Sequence, residues 1–100
     1  LPAFQIRMLD SHTIYNTYKI QKGKPTVFIM FSPDCDHCEL LSKMIVDNID
    51  SFDKVKLIMV SPMPLKQIKQ FAFDNRLTQH KKITVGQDVD YFFGSFFKGF

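Results

Sequence analysis

The chain has 100 residues, 45% hydrophobic and 23% charged, the composition of a globular domain with one core and too short for two. No apolar run approaches the roughly 18 residues of a membrane-spanning helix. The formal charge of +3, from 13 basic and 10 acidic residues spread along the chain, lacks the contiguous basic stripe of a nucleic-acid surface.

The first ten residues, LPAFQIRMLD, contain no basic segment followed by an apolar one of the kind a signal peptide carries, a pattern an exported protein shares after cleavage. Residues 4–9 and 12–18, separated by Asp10-Ser11, read as a two-stranded antiparallel hairpin whose turn lacks glycine. TVFIMF at 26–31, after Gly23 and Pro25, is a continuous β-branched and aromatic run, read as a strand buried on both faces. Ser32-Pro33-Asp34 then forms a turn with a helix N-cap candidate. Apolar residues follow at Cys38, Leu41, Ile45, Ile49 and Phe52, a helical spacing.

A second apolar run, VKLIMV at 55–60, gives another strand, which SPMP ends. Leu65, Ile68, Phe71 and Ala72 mark a second amphipathic helix, with Pro64 suited to its first turn. KKITVG is a third strand ending at Gly86. Asp88 is a plausible N-cap for a last helix carrying Val89, Phe92, Phe93, Phe96, Phe97 and Phe100 on one stripe. The polar side of that helix lacks the Lys/Arg enrichment of a membrane-surface helix, and Gly94 and Gly99 weaken it, so its Phe stripe reads as core or as cover for residues outside this chain. The pattern is a hairpin followed by βαβα, within one domain over residues 1–100.

The only two cysteines, Cys35 and Cys38, fall at the start of the first helix, at the C-terminal edge of a strand, where open α/β sheets place their sites. Unpaired N–H groups and the helix dipole favour a thiolate there. Cys38, one turn later and on the apolar side, is expected to be the less exposed thiol, which suits an outer nucleophile and an inner resolving cysteine. Three other residues bear on the thiolate. His37, if protonated, favours it at Cys35, and Asp34 and Asp36 oppose it, so the sign of the net shift stays open. Two alternatives also stay open: two buried small hydrophobes, and a metal site for which only His12, His37 and His80 remain as further ligands. His37 is expected to point away from both cysteines.

With these residues in place, LPAF, the hairpin and GKPTVFIMFSPDCDHC resemble the opening of the TlpA-like/redoxin branch of the thioredoxin-like superfamily, a branch related to the AhpC/TSA group. The resemblance covers nearly the whole chain and implies a thioredoxin-like α/β fold. It implies Cys35 as nucleophile and Cys38 as resolving cysteine, with Pro33, Asp34, Asp36 and His37 as residues that tune their pKa, and neither a bound cofactor nor a metal. Pro33-Asp34 stand where relatives usually have an aromatic residue before the first cysteine. Asp36-His37 replace the commoner Gly-Pro type, and His37 resembles the more oxidising exchangers.

KKITVGQDVDYFFGSFF resembles the strand and helix that this branch inserts into the basic fold. A loop with a cis-proline, an antiparallel strand pair and a last helix should follow, yet no proline lies beyond Pro64, so the chain is expected to be the N-terminal portion of a longer domain. The strand at 26–31 then becomes a sheet edge, and self-association of the truncated domain is expected. The implied activity is disulfide exchange with protein thiols, as a reductase fed by an upstream donor. The implied setting is extracytoplasmic, periplasmic in a bacterium and tethered outside this chain, although two cysteines at this spacing fit a cytoplasmic setting as well. A peroxiredoxin-like peroxidase is a second reading, but that chemistry uses Pro-x-x-x-Thr-x-x-Cys, which is absent here. The third is a non-catalytic module that binds copper, zinc or a partner.

Overall fold

In the computed structural model the described residues are 4–19, 25–52 and 54–89. They build one mixed sheet from β1 (Gln5–Met8), β2 (Ile14–Asn16), β3 (Thr26–Met30), β4 (Lys56–Ser61) and β5 (Ile83–Asp88). The strand order is β2-β1-β5-β4-β3, with β3, β4 and β5 parallel and β1 antiparallel to both β5 and β2. Helix α1 (Asp36–Asp47) joins β3 to β4, and α2 (Leu65–Asp74) joins β4 to β5. The expected hairpin and βαβα pattern are present.

The hairpin turn works without glycine because a carboxylate organises it. Asp10 accepts the backbone N–H groups of His12 at 2.9 Å and Thr13 at 2.8 Å, plus the Thr13 hydroxyl, while Ser11 takes φ 65°. This is the local bonding by which Asp stabilises a turn. Those bonds, the Thr13 hydroxyl first, pull the Asp10 carboxyl down to about 2.

Side chains alternate across the sheet, so each strand feeds two apolar layers. Leu57, Met59, Ile83 and Val85 meet Phe31, Ile45, Ile68, Phe71 and Leu77 in the main core, where Phe31 stacks on Phe71 with centroids 4.8 Å apart. Ile58 and Val60 pack with Phe4 and Ile6 on the other face.

β4 is the strand covered on both sides, with Leu57 to Ser61 all buried. β3, read as such a strand, is not. Among the described residues it pairs with β4 alone, and Val27 is 44% exposed. The edge expected for this strand is therefore seen, and it is an edge that leaves the run half-solvated.

Three boundaries differ from the sequence reading. α1 stops at Asp47 with Asn48 as its C-cap, and Ile49–Phe52 continue as a 3-10 turn, so the apolar period runs past the α-helix proper. Pro64 stands at the N-cap of α2, one residue before the first turn. β5 starts at Ile83 and runs two residues past Gly86, because β1 lies alongside and pairs Arg7 with Gln87 and Ile6 with Asp88. Asp88 is therefore a buried residue at the end of β5. The Phe-rich helix expected after it falls beyond residue 89, outside the described residues.

Ser42 sits fully buried on the inner side of α1, and its Oγ has no hydrogen-bond partner among the described residues. A buried hydroxyl without a partner costs free energy, and alanine is the better helix former. Ser42→Ala is therefore expected to raise stability by up to about 1 kcal/mol, a melting temperature several degrees higher by circular dichroism. A fall of that size would mean that the hydroxyl is bonded after all.

Candidate functional site

The two cysteines lie where β3 hands over to α1. The β3–β4 ladder extends one residue past Met30, with the Phe31 N–H donating to the Val60 carbonyl at 3.0 Å. The chain then turns: the Cys35 N–H donates to the Ser32 carbonyl at 3.1 Å, and the Ser32 hydroxyl donates to the Asp34 carboxylate. Pro33, with its fixed φ, sits inside this turn. The hydroxyl is the main reason the Asp34 carboxyl lies below its ordinary value, with a backbone N–H adding to it.

Cys35 was expected in the first turn of the helix. It is the N-cap, with extended φ −101° and ψ 118°, and its carbonyl accepts the first helical bonds from Cys38 at 3.1 Å and Glu39 at 3.2 Å. An N-cap side chain occupies the place from which an acceptor meets the open N–H groups of the first turn. Here a sulfur occupies it, short of a formal cap hydrogen bond but close enough to the N–H groups of Cys38 and His37 for them to favour its thiolate.

Both cysteines are free thiols and both are half-buried. Their surroundings push them apart. The Cys35 thiol lies below its ordinary value, first because the Cys38 thiol donates to its sulfur, then because of the Cys38 N–H and, after a small opposing effect of burial, the His37 N–H, against which Asp36 works by charge. The Cys38 thiol is pushed up, first by burial; the Ser32 N–H opposes the rise, and Cys35 and the Asp34 carboxylate add to it. At Cys35, where the sequence left the sign of the net shift open, the direction is downward. His37 acts through its backbone N–H, and Asp34 bears on Cys38.

The structure brings Pro33, Asp34, Cys35, Asp36, His37 and Cys38 together at one corner, with the Asp36 and His37 side chains in solvent. His12 lies in the hairpin turn and His80 before β5, and among the described residues no three His, Cys, Asp or Glu side chains gather to hold a metal ion. No described helix is long and apolar enough to cross a membrane.

Three concavities flank the corner: one of about 290 Å³, lined by Pro33, Asp34, Gln67 and Phe71, reaches no thiol, and two others differ in size. The larger, about 580 Å³, runs between α1 and α2 past Asp36, Lys43, Asp47, Asp74 and Arg76, and no sulfur lines it. The smaller, about 270 Å³, is lined by Met30, Phe31, Ser32, Cys38, Pro62 and Met63. Chemistry outranks size here, because only the smaller cleft reaches a thiol. In the sequence SPMP served only as a strand breaker. The signal that would have pointed to it is general: in a parallel sheet the C-terminal ends of neighbouring strands share one rim, so the loop after β4 must lie beside the loop after β3.

No protein-family model matches the sequence, and no curated protein matches it. Solved structures do. A secreted disulfide oxidoreductase of Mycobacterium tuberculosis, homologous to DsbE of Escherichia coli, superposes with a TM-score of 0.76 at 17% identity over 95% of this chain and 67% of its own. DsbF of M. tuberculosis, solved in mixed oxidised and reduced forms, gives 0.73 at 20% identity over 92% of this chain and 66% of its own. The peroxidoxin BcpB of the same organism gives 0.79 at 13% identity over 95% of this chain and 60% of its own. The chain thus spans about two thirds or less of the length of these structures. The fold is thioredoxin-like.

Proposed function

We propose that the chain carries the dithiol of a thiol-disulfide oxidoreductase that exchanges electrons with protein thiols and acts as a reductase. One observation carries this reading: two thiols at one helix N-terminus, the outer favoured as thiolate and the inner held protonated. In the reductive direction the Cys35 thiolate attacks one sulfur of a substrate disulfide, forms a mixed disulfide and expels the other sulfur as thiolate. Cys38 then loses its proton and attacks the Cys35 sulfur. The Cys35–Cys38 disulfide forms, the second substrate thiolate leaves, and two electrons have passed to the substrate. An upstream dithiol must reduce the pair again.

Asp34 and Asp36 are the brakes of this scheme, one on Cys38 and one on Cys35, and the His37 N–H is an accelerator. Pro33 shapes the turn that presents them. An extracytoplasmic setting agrees with the secreted DsbE-related neighbour.

The test is a redox titration in thiol-disulfide buffers, with free thiols alkylated and the product weighed. A potential near the roughly −270 mV of thioredoxin supports the reductase, and one near the roughly −120 mV of a strong oxidant reverses the direction. If no internal disulfide forms in any buffer, the reading fails. On the reduced protein, iodoacetamide is expected to modify Cys35 before Cys38 at neutral pH. The Cys35 rate should stay high below the ordinary thiol range, and the Cys38 rate should climb only above it.

The likeness to BcpB favours a second reading, a peroxidase. There the Cys35 thiolate takes one oxygen from a hydroperoxide and releases the alcohol or water. Cys38 then condenses with the sulfenic acid to give the disulfide and water. Peroxide consumption separates the two.

A further inference from the structure

The loop after β4 is held from two sides. Ser61, fully buried, accepts the Met63 backbone N–H on its Oγ at 3.2 Å. Gln87, on β5, donates its Nε2–H to the Met63 carbonyl at 3.0 Å across 24 positions of sequence. Ser61 and Gln87 are register partners in the parallel β4–β5 ladder, so the ends of two neighbouring strands grip one residue between them. Pro62 and Pro64 stand on either side of Met63, each with a fixed φ and no N–H to donate. Such anchoring is more than a strand needs in order to end. The residue it immobilises lines the cleft of about 270 Å³ whose wall includes Cys38.

We propose that Gln87 is a positioning residue for the dithiol: by fixing the Met63 carbonyl it holds the 62–64 turn against Cys38 and keeps water from that thiol. Gln87 therefore helps decide which of the two cysteines attacks. The inference rests on the dithiol reading above and deepens it. Burial is the largest influence on Cys38, ahead of the other groups facing it, which are the Ser32 N–H, Cys35 and the Asp34 carboxylate. A turn released from Gln87 admits water to Cys38, and the inner thiol ionises more readily.

The experiment uses the chain with Cys35→Ser, so that Cys38 alone reacts, and measures its alkylation by iodoacetamide at pH 7, well below the melting temperature of each variant. Gln87→Met keeps the length and removes the donor. It is expected to speed Cys38 alkylation about threefold or more, since the thiolate fraction changes tenfold per unit of pKa. Gln87→Asn keeps an uncharged amide donor and is expected to bring the rate part of the way back toward the parent. Ser61→Ala breaks the other bond and is expected to speed alkylation as well, which provides a second reading if Gln87→Met folds poorly.

Unchanged rates in both Gln87→Met and Ser61→Ala overturn the proposal. Equal acceleration by Gln87→Met and Gln87→Asn also overturns it, because the donor then does not matter. Oxidation of the unmutated chain is the separate control. If it forms no Cys35–Cys38 disulfide, the dithiol reading fails and the inference with it. If it forms one while the Cys38 rates stay fixed, only the role of Gln87 is lost.

Discussion

Cys35→Ser is expected to abolish disulfide exchange while leaving the fold intact or slightly firmer. The thiolate is the attacking species, and a hydroxyl at the same place stays protonated at any working pH, so turnover of a protein disulfide should fall to the buffer-thiol background. The structural side of the same change runs the other way. Position 35 is the N-cap of α1 and makes no side-chain cap hydrogen bond, while serine is among the preferred caps, worth about 1 kcal/mol. Activity lost with melting temperature held or raised separates chemistry from folding in a single variant.

Cys38→Ser should behave differently. Cys35 can still attack, but nothing resolves the product, so a mixed disulfide with the substrate accumulates, visible as a mass adduct that dithiothreitol removes. If Cys38→Ser gathers no adduct while Cys35→Ser is dead, Cys38 is not the resolving thiol. If Cys35→Ser keeps its turnover, the nucleophile has been misplaced.

Much of this site is legible in the sequence because its signals are local. The change from an apolar run to a helical period around Ser32-Pro33-Asp34 placed both cysteines, and the strand-turn-helix setting placed them at a rim. What escaped is long-range. TVFIMF and VKLIMV look alike as strings, yet β3 is an edge and β4 is covered on both faces, because burial depends on neighbours far away in sequence. β5 runs past Gly86 to Asp88 because β1, some eighty positions earlier in the chain, supplies Ile6 as its ladder partner. The grip of Ser61 and Gln87 on Met63 joins residues that no window of sequence holds together. The missing glycine in the hairpin was answered by Asp10, a signal present in the string but weaker than glycine.

Gly86 is where the largest loss of stability is expected. It lies in β5 between two strands, opposite Met8 on β1 and Val60 on β4, at the point where the hairpin joins the parallel half of the sheet. A Cβ built there would stand 2.2 Å from Ile6 Cγ2 and 2.8 Å from the Arg7 carbonyl oxygen. Neither neighbour can yield cheaply. Ile6 is fully buried among Phe4, Ile58 and Val60, and the Arg7 oxygen belongs to the backbone of the strand paired with β5. Overpacking in a close-packed interior costs about 1–3 kcal/mol, and a backbone contact puts Gly86→Ala at the upper end. Against a total of about 5–15 kcal/mol this should lower the melting temperature by roughly 10–20 °C. The double variant Ile6→Ala/Gly86→Ala tests the cause. It removes the nearer contact and leaves the carbonyl, so the two changes together should cost less than their sum. Additive losses would show that the Ile6 side chain is not what forbids a side chain there, and would assign the cost to the Arg7 carbonyl.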